Sequence, residues 1–210
     1  MAENIIIRPI KKDDLHTLYA MMHDKKTGIP EWKKWDAPYF PYKRPSFRSF
    51  RNQILDGMVE GMRYLIINAG QIIGMVTYYW EHRSSNWLEA GIVIFNPDYW
   101  SGGYGTKAMY LWIDHLFATL PIVRCGFTTW SGNGRMMKVG EKLGMTLEAR
   151  LRKCRFYNGN YYDSIRYGVL REEWLEQKGV LYDKLFGNYS HSHFNSSTFT
   201  KDVLDNPQKV

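Results

Sequence analysis

The stretch Asp98-Tyr-Trp-Ser-Gly-Gly-Tyr-Gly-Thr-Lys-Ala108 decides how this chain is read. It follows the apolar run Ala90-Gly-Ile-Val-Ile-Phe95 and leads into a segment whose apolar residues recur at helical spacing. A strand that ends in a glycine-rich turn and feeds a helix N-terminus makes an anion site. Unpaired backbone N–H groups point outward there, and the helix dipole favours negative charge. Gly102, Gly103 and Gly105 carry no Cβ, so a phosphate can approach the backbone closely. The turn matches neither common nucleotide loop. The Walker pattern places Lys and Ser/Thr after its second glycine, whereas Gly105 is followed by Thr106 and Lys107. The dinucleotide fingerprint has a third glycine where Ala108 stands, and no opening β-α-β unit surrounds this one.

The downstream sequence narrows the reading. Asn133 to Met145 runs N-G-R-M-M-K-V-G-E-K-L-G-M, an Asn at a helix start, a short helix, and a Lys-Leu-Gly stop before an apolar strand. With the glycine turn, this resembles the core of the GNAT acetyltransferases. That superfamily sets a Q/R-x-x-G-x-G/A loop on the acetyl-coenzyme A pyrophosphate. The six matching residues are Trp100, Ser101, Gly102, Gly103, Tyr104 and Gly105, with Trp in place of Gln or Arg. Trp100, Glu89 at the start of the preceding strand, and the ending Leu170-Arg-Glu-Glu-Trp174 are similar to the ribosomal-protein (RimJ/RimL-type) branch. The resemblance spans residues 4 to 175, and its motifs speak for fold and cofactor far more than for acceptor.

At 210 residues the chain reads as one domain with a full core. Aromatics make up 16%, with eight Trp and fifteen Tyr, so some are expected to line a cleft or an interface. The net charge of +7 fits an anionic ligand such as a coenzyme with several phosphates. The basic residues are scattered rather than gathered into a stripe, which argues against direct nucleic-acid binding. Cys125 and Cys154 make neither a disulfide framework nor a metal set. No basic leader precedes an apolar stretch and no run reaches membrane-spanning length, so a soluble, cytoplasmic protein without membrane contact is expected.

Read along the chain, strands are expected at Ile5–Pro9, 64–68, 71–80, 88–95, 123–129, 145–157 and 161–170. Helices are expected after Asp13 or Asp14, after Ser46, after the glycine turn, at Asn133 and over 172–185. Residues 28–45 hold Pro30, Pro38, Pro41 and Pro45 among Trp32, Trp35, Tyr39 and Phe40, a long loop of the kind that carries function. Asn68-Ala-Gly70 and Asn158-Gly159 signal hairpins. The strand between 88 and 95 is nearly all apolar and is expected to be buried. The helix after the turn presents Ala108, Leu111, Trp112, His115 and Leu116 on one face. The fold class is therefore α/β, a single-domain mixed sheet of about seven strands, mainly antiparallel, with one parallel β-α-β crossover. The resemblance adds that the central parallel strands splay apart between flanking helices. Residues 1–186 form the acetyltransferase domain and 187–210 a polar tail.

The resemblance also implies the site. The coenzyme's pantetheine arm would lie between the splayed strands and pair with the backbone of Ile92, Val93, Ile94 and Phe95. The pyrophosphate would sit on Ser101, Gly102, Gly103, Tyr104, Gly105 and Thr106. Asn133 would touch the pantetheine, cap its helix, or do both. Glu89 would be the general base, directly or through water; the alternatives are a solvated strand end or a pair with Arg83. Trp32, Trp35, Asp36 and Tyr39 would cover the acceptor side, or simply pack under their loop. Many relatives carry a Tyr seven residues after the Asn as proton donor to the leaving thiolate. Gly140 stands there, leaving Tyr99, Tyr104, Tyr161, Tyr162 or solvent. His115 reads as a core residue and His191-Ser-His193 as tail surface, so no metal site is expected.

The function implied is acetyl transfer from acetyl-coenzyme A to an amine by direct attack in a ternary complex. The branch points to an α-amino group of a protein or peptide. Small-amine or antibiotic acetylation, and a non-catalytic coenzyme A-binding module, are the alternatives. A second copy of the chain is an open choice of partner.

Overall fold

The structure is a computed structural model describing residues 5–23, 28–59 and 61–187. The chain runs β1 (Ile5–Pro9), α1 (Leu15–Met22), α2 (Phe47–Val59), β2 (Arg63–Asn68), β3 (Gln71–His82) and β4 (Trp87–Ile94). It continues through α3 (Tyr104–Thr119), β5 (Arg124–Trp130), α4 (Gly134–Lys142), β6 (Thr146–Tyr157), β7 (Asn160–Leu170) and α5 (Arg171–Phe186). The strands form a seven-stranded sheet in the order β1-β2-β3-β4-β5-β7-β6. All neighbours pair antiparallel except β4 and β5, which the α3 crossover makes parallel. Residues 188–210, read above as a tail, lie outside the described residues.

The expected hairpins form where their turn residues allow. Ala69 and Gly70 take φ of 47° and 78°, and Asn158 and Gly159 take 47° and 77°, the left-handed pairs that a two-residue turn between twisted strands requires. Ser46 accepts the Ser49 N–H at 3.2 Å and so caps α2. Asp14 does not cap α1. Its carboxylate pairs with Arg8 at 2.7 Å and accepts the Lys11 N–H at 2.7 Å, closing a 3₁₀ turn ahead of the helix.

Alternation along β4 feeds two cores. Leu88 and Ala90 pack with Trp112, Phe127 and Trp174, while Val93 and Phe95 pack with Phe50, Ile54, Leu65 and Trp32. The expectation that β4 is buried throughout holds only for its first half. Leu88, Glu89 and Ala90 are buried, but Gly91 to Ile94 are half-buried because β5 leaves that edge.

The buried surface of α3 is wider than the stripe read from sequence. Met109, Tyr110, Ile113 and Phe117 are buried too, because α3 lies between the sheet and α5. Leu111 and His115 are half-buried at the margin. His115 stacks on Trp112, and burial holds its pKa below the usual value.

Arg171 fixes the return from α3 to β5. Its guanidinium donates to the carbonyls of Phe117, Leu120 and Ile122, each at 2.7 Å. These groups lie at and just beyond the C-terminus of α3, where carbonyls have no helical partner. Arg171→Met should therefore destabilise the fold by about 3 kcal/mol, on the scale of lost hydrogen bonds to a charged group. Urea titration would read this as a lower midpoint at unchanged slope.

Candidate active site

The site begins where β4 and β5 part. They pair at Trp87/Arg124, Leu88/Cys125 and Glu89/Gly126 and then diverge. A cleft of about 570 Å³ opens beyond that fork. One wall is Ala90 to Ile94 on β4, and the other is Phe127 to Trp130 on β5 with the exposed face of α4. The glycine turn forms one end and the 28–45 loop covers it.

In the turn, Gly103 takes φ 85° and is the N-cap of α3, offering no side-chain cap to the first-turn N–H groups. A Cβ on Gly105 would point towards Ile92 Cδ1, 4.0 Å away, into the cleft. Ser101, Gly103, Gly105 and Thr106 line the cleft as expected. Gly102 and Tyr104 do not. The Tyr104 ring folds back over Gly102, where a Cβ would meet it at 2.7 Å, and packs edge-on against Tyr99.

Trp100, the odd residue of the motif, has a structural task. Its indole N–H donates to the Ile94 carbonyl at 2.9 Å, satisfying one group of the open β4 edge. Ile92, Val93 and Ile94 line the cleft, but Phe95 does not. The Phe95 N–H is bound to the Ile73 carbonyl and its ring is buried against Trp32. The available β4 edge is therefore one residue shorter than the sequence implied.

Asn133 lines the cleft with both of its polar atoms engaged. Its Oδ1 accepts the Met136 N–H at 3.1 Å, capping α4, and its Nδ2 donates to the Trp35 carbonyl at 3.0 Å. Trp130 Nε1 donates to the same carbonyl at 3.2 Å. Two bonds thus strap the 28–45 loop across the cleft at Trp35. The Arg135 guanidinium lies over the Trp35 ring at 4.5 Å and the Trp100 ring at 5.1 Å, completing the closure. Trp32, Trp35, Asp36 and Tyr39 all line the cleft.

Arg135, Lys138 and Lys142 were missed in the sequence, although their spacing of three and four residues on a helix was a usable signal. They make the α4 wall cationic. The one carboxylate among the lining residues is Asp36, which is paired with Lys33 at 3.0 Å.

Glu89 is not in the cleft wall. Its side chain is 1% exposed, at the fork itself. It accepts from Tyr79 Oη at 2.6 Å and Thr128 Oγ1 at 3.0 Å, and Arg166 Nη1 stands 3.8 Å away. Arg166, not Arg83, is the cation within salt-bridge distance, with Arg124 acting on Glu89 from further off; Arg83 lies over the Trp80 ring. Burial, then the bond to Glu89, holds the Tyr79 phenol above its ordinary pKa.

Gly140 also has a physical reason. A Cβ there would meet the stacked rings of Phe127 and Tyr167 at 2.9 Å, so no tyrosine fits. Tyr99 lines the cleft, whereas Tyr161 is exposed and Tyr162 packs on Trp130. Among the described residues no cluster of His, Cys, Asp or Glu could hold a metal ion, and no helix is long and apolar enough to cross a membrane.

These features suit a long polyanionic coenzyme with an amide-bearing arm. An open strand edge meets the arm, a glycine cradle meets the phosphates, and the α4 wall supplies positive charge. The buried Trp35 indole N–H adds an unmatched donor. Fold and site together define a coenzyme A-dependent acyltransferase. Residues 4–146 match the family described as "Acetyltransferase (GNAT) domain", and the chain belongs to that family.

Its relatives include the SPbeta prophage-derived uncharacterized N-acetyltransferase YokL of Bacillus subtilis, 25% identical over 82% of this chain and 93% of that protein. The spermidine N(1)-acetyltransferase of Escherichia coli K12 is 23% identical over 84% and 91%. Among solved structures, the spermidine N-acetyltransferase of Vibrio cholerae in complex with CoA and spermine shares the fold. Its TM-score is 0.67 at 18% identity, covering 81% of this chain and 98% of that one. The protein is an acetyl-CoA-dependent N-acetyltransferase with acetyl-CoA as co-substrate.

Gly105→Val should fill the cradle while α3 still forms, weakening acetyl-CoA binding by about tenfold or more, or ~1.4 kcal/mol, by calorimetry. Asn133→Ala should lose about 1 kcal/mol of stability as a cap. Because it also releases Trp35, coenzyme affinity should fall with it; a melting loss at wild-type affinity would reduce Asn133 to a cap.

Proposed function

We propose that the chain acetylates α-amino groups of proteins or peptides, as the ribosomal-protein branch of the family does. The carrying observation is the charge around the acceptor side. Glu89 has Arg166 beside it, and the loop over the cleft contributes one carboxylate, Asp36, already paired with Lys33. A polyamine, with several ammonium groups, finds no unpaired carboxylate among the lining residues. A peptide N-terminus brings a single ammonium followed by carbonyl acceptors.

Proton chemistry supports the same reading. An α-amine with a pKa near 7.8 is roughly 15% neutral at pH 7, whereas a Lys amine near 10.4 is about 0.04% neutral. One carboxylate held back from the cleft suits the easier task. Polyamine acetylation is the second reading, favoured by the spermidine acetyltransferases among the relatives. The Bacillus subtilis protein YdaF, named as a candidate ribosomal N-acetyltransferase and 22% identical, stands on the other side.

Acetyl-CoA supplies the activated acetyl group when bound. The chain contributes the β4 edge and glycine turn that orient it, the 28–45 loop that excludes water, and Glu89 as final proton acceptor. Direct attack fits the cysteines. Cys125 is fully buried with its thiol pushed up to about 12 by burial, and Cys154 lies on β6 outside the cleft wall. The lining therefore offers no thiol to carry the acetyl group.

A thiol-release assay with amidated hexapeptides, N-blocked hexapeptides bearing an internal Lys, glycinamide and spermidine tests the acceptor. Free N-termini should be preferred; preference for spermidine or internal Lys overturns the assignment. Glu89→Gln should cut turnover about 100-fold near pH 7, the scale of a lost general base. The deficit should shrink as pH rises and the amine deprotonates unaided. A flat, wild-type profile in this variant removes Glu89 from the mechanism.

A further inference from the structure

Glu89 poses a geometric problem, because a base must reach the proton it takes. Its carboxylate is sealed from the cleft, and three side chains stand around it: Tyr79 from β3, Thr128 from β5 and Arg166 from β7. Of these, Thr128 alone lines the cleft. The register explains why. Gly126, opposite Glu89, is the last β5 residue paired with β4 and has no side chain. A Cβ there would meet the Arg124 guanidinium at 2.7 Å and the Tyr167 carbonyl at 2.8 Å. With side chains alternating, Thr128 is the first β5 side chain on the Glu89 face beyond the fork. Thr128 is an exposed residue that lines the cleft, and its hydroxyl donates to Glu89 Oε1 at 3.0 Å.

A hydroxyl can accept one proton while giving up another, which a guanidinium cannot do. Tyr79 has a hydroxyl as well, but it is 46% exposed and lies outside the cleft wall.

We propose that Thr128 relays the proton from the acceptor ammonium to Glu89. This rests on the acetyltransferase reading and on Glu89 as base. The ammonium gives one proton to Thr128 Oγ1 as the Thr128 hydroxyl proton passes to Glu89 Oε1. The neutral nitrogen then forms the N–C bond with the acetyl carbon, and the C–S bond breaks with its electron pair on sulfur. The extra proton on nitrogen after attack leaves with the sulfur as a thiol. Glu89 returns its proton to water by the reverse route once the product departs.

The charged and titratable groups acting on Glu89 are Tyr79 from β3, Arg124 and Cys125 from β5, and Arg166 from β7, while Glu81 acts on Tyr79. The arginines stay charged and Cys125 and Tyr79, raised by burial, stay neutral between about pH 6 and 9. The acceptor's own amine therefore shapes the pH profile.

The test compares Thr128→Val, Thr128→Ser and Tyr79→Phe in the full chain, with the best acceptor of the panel above. Thr128→Val should lower kcat/KM about 100-fold at pH 7, with the gap closing towards pH 9 and acetyl-CoA affinity unchanged by calorimetry. Thr128→Ser should restore most of the rate, and Thr128→Val should add little to Glu89→Gln, as expected of two groups in one path. A Thr128→Val profile parallel to wild type overturns the relay, as does equal damage in Thr128→Ser. A neutral-pH loss in Tyr79→Phe alone would route the proton over the other face. Wild-type inactivity on the whole panel would instead strike the acceptor reading, and the relay with it.

Discussion

The separation of β4 from β5 after three residue pairs is the constraint on which the rest of the molecule depends. An open strand edge inside a sheet leaves backbone groups that must find partners. Here the Trp100 indole takes the Ile94 carbonyl, and the remaining edge faces a cleft of about 570 Å³. The same fork places Glu89 beneath the floor of the cleft. It also leaves Gly126 as the last paired residue and brings Thr128 to the first open position. The open cleft and the enclosure of Glu89 are two consequences of one break in pairing.

Several residues that carry the family resemblance serve packing first. Trp100 closes a backbone edge, Arg171 holds three carbonyls at and just beyond the end of α3, and Trp174 is buried with its indole N–H on Asp114 at 3.0 Å. Glu173 accepts the Leu170 N–H at 2.9 Å and so caps α5. These residues mark a fold and a cofactor edge. Of these only Trp100 lines the cleft, so a motif shared with one branch says little about what is acetylated.

The cover of the cleft is set by long-range contacts. The 28–45 loop is tied at the Trp35 carbonyl to Asn133 and Trp130, residues nearly a hundred positions away. That tie brings Trp32, Trp35 and Tyr39 into one wall and lays Arg135 between two indole rings. The resulting surface is aromatic, with the Arg135 guanidinium over both the Trp35 and Trp100 rings.

The sequence by itself determined what local rules govern. The two hairpin turns, the glycine cradle, the Asn133 cap and the alternation of β4 all follow from residue type and period. With them came the seven strands and the parallel crossover, while the cofactor class came from the resemblance carried by the glycine turn and the Asn133 helix. Tertiary structure decided what depends on partners far along the chain. It withdrew Phe95 and Tyr104 from the cleft by giving their rings other packing, and it explained Gly140 by the Phe127 and Tyr167 rings opposite. It gave Glu89 Arg166 instead of Arg83, and it enclosed the carboxylate so that Thr128 stands between it and the cleft. Period and turn chemistry act over a few residues and can be read directly. Burial and charge pairing are fixed only once β3, β4, β5 and β7 lie side by side.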